Sequence, residues 1–202
     1  MEINFKEIVE NDRLLKQINF IIELDKLKSI FRQSYLSHSK RHENDAEHSW
    51  HIAVMAILLA EHSSVLNKDP DLLKVVKMLL IHDIVEIDAG DTYCYDEIGN
   101  AHKEQRELKA AARIFNILPE DQSQELFDLW QEFEQQVTPE AVFAASLDRI
   151  QPIILNFLSA GKSWKEHDIT PDMILKRNSI IEKGSPALWN MVKNILKIFF
   201  NR

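Results

Sequence analysis

The chain has 202 residues, 45% of them apolar and 28% charged, which is enough for one domain with a sizeable core and offers no block of like charge to hold a tail disordered. A net charge of -8 excludes a general binder of nucleic acid, because such affinity comes from Lys and Arg neutralising phosphates. It does not exclude a small anionic ligand, since a bound cation reverses the local field.

In chain order, apolar residues at three- and four-residue spacing predict helices over about 10–31, 45–64, 70–88, 97–117, 120–135, 139–160, 171–182 and 186–200. Four helix starts pair a capping residue with proline at the first helical position: Asp69-Pro70, Thr138-Pro139, Thr170-Pro171 and Ser185-Pro186. Gly161 and Gly184 are the matching stops. Pro152, inside the helix that starts at Thr138, removes a backbone donor and is expected to bend it. With four glycines and no Asn-Gly or Asp-Gly hairpin, sheet is not expected. The reading is all-α, a single domain over 1–202 forming one compact bundle of about eight helices.

The lone Cys94 rules out an internal disulfide, and the opening MEINFKEIVENDR lacks the basic start and apolar stretch of a secretion signal. No uninterrupted apolar run approaches the roughly 20 residues of a membrane helix. A cytoplasmic protein with neither membrane nor nucleic acid polymer as partner is expected.

Polar residues on apolar faces carry the chemistry. In the helix over 70–88, Val75, Met78, Leu79, His82 and Glu86 share a face, with Asp83 about 100° round from His82, so His82, Asp83 and Glu86 can converge in front of it. His48 heads the stripe Ile52, Met55, Leu59, with Asn44 or Asp45 as cap, and Asp148 stands among Ala141, Ala144 and Ala145. Singly, His48 reads as a hydrogen-bonded core residue and Asp148 as a buried partner of Arg41 or Arg113. Together, the four are explained by one divalent metal ion, which compensates buried carboxylates that would otherwise cost several kcal/mol. Mixed nitrogen and oxygen donors without sulfur suit Mn, Fe, Co, Ni or Zn, with Mg also to be tested, and water on such an ion is a ready nucleophile. Hydrolysis is the expected reaction class. His51 reads as a solvated neighbour of His48, as do His38, His42, His62 and His167 in their own surroundings, and Trp130, Phe133, Trp164, Trp189 and Phe199 read as core or helix interface.

The ordered set His48, His82-Asp83, Asp148, with the flanks NDAEHSW, LIHDIVEIDAGD, HKEQRELKAA and EFEQQVTPEAVFAASLDRIQPII and the later LWNMV, resembles the HD-domain metal-dependent phosphohydrolases, in the branch of the bacterial 5'-deoxynucleotidases and their eukaryotic HD-domain-containing relatives. The resemblance covers about residues 25 to 195. It implies the HD fold, a metal-binding core over about 25–160 with C-terminal helices at 170–200, and metal held by His48, His82, Asp83 and Asp148. It also implies a small phosphate ester as substrate, a (deoxy)ribonucleoside 5'-monophosphate, with Glu86 and Asp91 as the catalytic carboxylates that manage protons. A homodimer follows from the family and from the apolar LWNMVKNILKIFF, which can equally cap its own core. The family's arginine-tryptophan pair upstream of the first metal histidine is missing. Arg32 and Tyr35 are the nearest substitutes, Arg41 is better placed by spacing, and Lys103 is a further phosphate contact by resemblance. Alternatives are an HD-type phosphodiesterase, a nucleotide triphosphohydrolase, and a non-catalytic nucleotide-binding regulator.

Overall fold

In the computed structural model, which describes residues 5–38, 40–65, 71–96, 99 and 101–201, helices carry most of the regular structure. α1 (Asp12–Leu24) begins where the Asn11 side chain accepts the Leu14 N–H at 2.9 Å. The expected helix over 10–31 ends early: the chain tightens into a 3₁₀ turn, Asp25–Ser29, and then extends as β1 (Phe31–Tyr35). β1 pairs antiparallel with β2 (His42–Asn44), Phe31 opposite Asn44 and Tyr35 opposite His42, with an irregular register between them. This ribbon corrects the expectation of no sheet. Its connection is longer than the two-residue turns that announce a hairpin in sequence.

β2 leads straight into α2 (Asp45–Leu59) through a capping box: the Asn44 side chain accepts the Glu47 N–H while the Glu47 carboxylate accepts the Asn44 N–H. The start at Asp69-Pro70 lies outside the described residues, and the side chain that caps α3 (Leu72–Ile81) is Asp71, which accepts the Lys74 N–H. The single helix expected over 70–88 is three pieces, α3, a 3₁₀ turn over His82–Val85, and α4 (Glu86–Ala89), closed by Gly90 at φ 75°. α5 (Lys103–Phe115) begins later than expected, and residues 97, 98 and 100 lie outside the described set.

α6 (Glu120–Gln135), α7 (Pro139–Leu158), α8 (Lys162–Glu166), α9 (Pro171–Arg177), α10 (Ile180–Gly184) and α11 (Pro186–Phe200) complete the chain. Thr138, Thr170 and Ser185 each accept an N–H three residues on, with proline at the first helical position, as the sequence predicts. The helix expected over 171–182 breaks at Asn178-Ser179. Gly161 adopts φ 67° and ends the run from Thr138 in the left-handed region. Gly184 works differently: a Cβ there would lie 2.1 Å from Ser146 Oγ, so glycine lets α10 press onto α7.

α7 is the spine, packing against α2, α3, α6, α10 and α11. Its Ala141, Ala144, Ala145 and Leu147 are completely buried, and the small side chains let neighbouring backbones close around Asp148. By length and mean hydropathy α7 could cross a membrane, but Asp148, Arg149 and Gln151 interrupt its apolar run and 67% of that stretch is buried within the fold. Pro152 lacks the N–H that the Asp148 carbonyl would otherwise receive four residues on. α11 buries Leu188, Trp189, Val192 and Leu196 against the same core, while Ile198 on the segment that suggested a dimer stays exposed. Trp130, Phe133, Trp164 and Trp189 are core residues, and Phe199 packs edge-on against Trp164.

Candidate metal centre

Three helical elements bring the four expected ligands to one place. His48 sits in the first turn of α2, where the capping box sets the helix entry; His82 and Asp83 open the 3₁₀ turn; Asp148 comes from the middle of α7. His48, His82 and Asp83 offer donor atoms within 4.8 Å of one another. Asp148 Oδ1 lies 3.1 Å from His48 Nε2 and 3.8 Å from His82 Nε2, and His82 Nε2 is 3.1 Å from Asp83 Oδ1.

The far side of each imidazole fixes its tautomer. His82 Nδ1 is 2.9 Å from the Leu79 carbonyl, which can only accept, so Nδ1 carries the proton. Its Nε2 is buried without a hydrogen-bond partner. Gln151 Nε2 donates to Glu43 Oε1 at 2.5 Å, which orients the amide so that Gln151 Oε1 accepts from His48 Nδ1 at 3.1 Å. In the neutral form both rings therefore aim Nε2 lone pairs at carboxylate oxygens, an arrangement that needs a proton or a cation between them. These donors fit a divalent metal ion.

Electrostatics agree. Burial disfavours charge on Asp148, yet the imidazoles of His48 and His82 beside it, when protonated, hold its carboxyl well below the usual range. Burial and the nearby Arg32 pull His48 down, but Asp148 and Glu43 outweigh them and push it up to about 9. Glu86, at the start of α4 and only 3% exposed, is pushed up to about 9 by burial and by Asp83 against the pull of Lys103. Its Oε1 is 3.7 Å from Lys103 Nζ, and its Oε2 has no hydrogen-bond partner. Asp91, just past Gly90, lines the same cleft and is raised by burial. The cleft holds about 160 Å³, well beyond the roughly 10–15 Å³ a single water needs.

The expected substrate contacts divide. Arg32, on β1, lines the cleft and donates from Nη1 to Asp83 Oδ2 at 2.6 Å and to Asp45 Oδ1 at 3.3 Å. The His42 ring nitrogen holds the Arg32 carbonyl at 2.7 Å from the partner strand. Lys103 also lines the cleft, 3.0 Å from Glu107. Tyr35 and Arg41 do not line it. The Tyr35 hydroxyl donates to Glu166 at 3.3 Å and Lys162 lies 3.5 Å over its ring, while Arg41 is forked onto Glu47 at the surface. Neither side chain is brought to the cleft lining: each is held by a carboxylate outside it. Asp148 is paired with neither Arg41 nor Arg113, whose partners are Glu47 for the first and Asp88 and Glu23 for the second.

Several residues escaped the sequence reading. Asp45, fully buried and raised to about 8 by burial and Asp83, adds a carboxylate behind Arg32. Glu43 and Gln151 lock His48, and Gln151 also donates toward His51 Nδ1 at 3.1 Å, so His51 belongs to that support. Arg149 and Arg177 line the cleft beside Asp148. Gln151 had a signal, three residues after Asp148 on the same helix face. Glu43 had none, because its partner is far along the chain.

A family model for the HD domain matches residues 24–189. Human 5'-deoxynucleotidase HDDC2 is 33% identical over 138 residues, 68% of this chain and 65% of its own length. The Dictyostelium discoideum protein of that name is 33% identical over 132 residues, 64% of this chain and 70% of its own. The chain thus spans just under two thirds of the human protein. Among solved structures, a predicted metal-dependent phosphohydrolase from Magnetospirillum magnetotacticum is 48% identical with a TM-score of 0.88, covering 99% of this chain and 97% of that one. A Pyrococcus horikoshii protein, 22% identical with a TM-score of 0.61 over 90% of this chain and 99% of its own, shares the fold.

Proposed function

This chain belongs to the HD-domain family, and on that premise we propose that it is a divalent-metal-dependent phosphomonoesterase acting on nucleoside 5'-monophosphates, the deoxy series foremost. The observation that carries the reading is the convergence of two imidazoles, each with Nδ1 tied down, on Asp83 and Asp148 in a cleft that also holds the partnerless Glu86 Oε2. The names of the human and Dictyostelium relatives supply the substrate class.

His48, His82, Asp83 and Asp148 would hold the ion. When bound, a divalent ion polarises phosphoryl oxygens and lowers the pKa of the attacking water. The chain's own groups manage the rest. Glu86, with one unpartnered oxygen in the cleft, takes a proton from the attacking water; burial and Asp83 raise it to about 9 in the metal-free fold, and a cation at the neighbouring ligands would favour its charged, accepting form. Asp91, raised in the same direction, donates to the departing 5'-oxygen. Lys103, beside Glu86, offsets negative charge at that end of the cleft.

The test is phosphate release from deoxyribo- and ribonucleoside monophosphates, after metal stripping and readdition of Mn²⁺, Co²⁺, Fe²⁺, Ni²⁺, Mg²⁺ or Zn²⁺ in turn. Metal-restored release from the deoxy series is the expected outcome. Release of pyrophosphate or triphosphate from nucleoside triphosphates, with no orthophosphate from any monophosphate, would replace this reading with a triphosphohydrolase.

A further inference from the structure

Among the described residues, four arginine and lysine side chains line the cleft, and two of them each meet two carboxylates. Arg32 meets Asp83 and Asp45, and Lys103 meets Glu107 and Glu86. Arg149 and Arg177 stand apart. Arg149 follows Asp148 on α7 with its side chain 18% exposed, and its carboxylate neighbour is Asp148 itself, Nε to Oδ2 at 3.5 Å. That Nε is buried without a hydrogen-bond partner. Nη1 donates to the Arg177 backbone carbonyl at 3.1 Å, so the end of α9 sets the guanidinium's orientation. The Arg177 side chain lines the same wall, and its neighbours there are Cys94 and Arg149 rather than a carboxylate.

Two guanidiniums side by side, one largely removed from water and sharing the single carboxylate Asp148 with two imidazoles, leave positive charge for a further anion to balance. A guanidinium offers planar, forked donors that match phosphate oxygens, and two of them can grip one tetrahedral anion. Arg149 is also next in sequence to an expected metal ligand, so an anion on it lies within reach of the ion. We propose that Arg149 and Arg177 form a clamp for the phosphate group of the substrate, adjoining Asp148. The clamp rests on the phosphomonoesterase reading but is tested apart from it.

The experiment uses the full metal-loaded chain and inorganic phosphate as probe, with binding measured by calorimetry and turnover of monophosphates measured separately. Arg149→Met and Arg177→Met are each expected to weaken phosphate binding ~10–100-fold, the range of a charge-assisted hydrogen bond, with metal content unchanged. Arg149→Lys should recover part of the loss, because a point charge replaces the fork. Should Arg149→Met fail to fold, Arg149→Lys and the exposed Arg177→Met carry the test. Phosphate binding as tight as wild type in the folded variants, or a wild type that binds no phosphate, overturns the clamp. Arginine-dependent phosphate binding by a wild type that hydrolyses no monophosphate supports the clamp and overturns the phosphomonoesterase reading. Hydrolysis with undiminished phosphate affinity in both methionine variants does the reverse.

Discussion

An imidazole with one nitrogen committed to an acceptor has a single lone pair left to offer, and its direction is set by whatever holds the first. Gln151 is that anchor for His48 and is itself fixed by Glu43. Gln151→Leu should therefore lower metal affinity ~10–100-fold, read by chelator competition, while the fold persists. Glu86→Gln should leave metal content intact and cut kcat ~10²–10⁴-fold, because it removes the proton acceptor and no ligand. Retained activity in Glu86→Gln would move the base elsewhere. The His82-Asp83 pair was legible because two polar groups interrupt a core stripe, a conflict visible in one short stretch. Gln151 and Glu43 look like ordinary polar residues until the fold brings them together. Arg41 shows the converse, a side chain nominated by linear spacing that the fold holds on Glu47, outside the cleft lining.

Helices were the readable elements, since caps and prolines mark their starts locally: Thr138, Thr170 and Ser185 each cap the helix they announce. The β1–β2 ribbon was not readable, because five residues paired with three across a longer loop leave too little alternation to detect. Nor was the tightening at His82, which depends on tertiary contacts rather than helix propensity. At α10 the packing is close enough to predict from. Gly184→Ala would press a methyl onto Ser146 and should cost about 1–3 kcal/mol in urea unfolding, the usual range for overpacking. Adding Ser146→Ala should restore part of that loss, and no restoration would mean the strain lies in the backbone.

Across the whole molecule, the centre gathers buried carboxylates that only a cation reconciles. Without metal, Glu86 and Asp45 are raised to about 9 and about 8, chiefly by burial and then by Asp83. His48 is raised to about 9, because Asp148 and Glu43 outweigh its burial and Arg32. The metal-free fold therefore binds more protons than the unfolded chain over that range. Stability from Glu86 and Asp45 is complete only below the ordinary carboxylate range and is lost as pH climbs through about 8 to 9. The His48 share is lost between its ordinary value and about 9. The expected outcome is a Tm of the metal-free protein that falls from pH 6 to pH 9, with the gain in Tm on adding Mn²⁺ larger at pH 9 than at pH 6. A gain that shrinks with pH would mean that protons, rather than the ion, hold these carboxylates.

The three segments that supply His48, His82-Asp83 and Asp148 are widely separated along the chain, so the unfolded polymer has no preformed chelate. An ion seated there is a removable cross-link that pins early, middle and late parts of the chain to one another. Because its grip needs all three segments in place at once, the ion is expected to act as a lock on exit more than a guide to entry. Loading the centre should slow unfolding in denaturant while leaving the refolding rate nearly unchanged, and stopped-flow kinetics with and without a chelator would register the asymmetry.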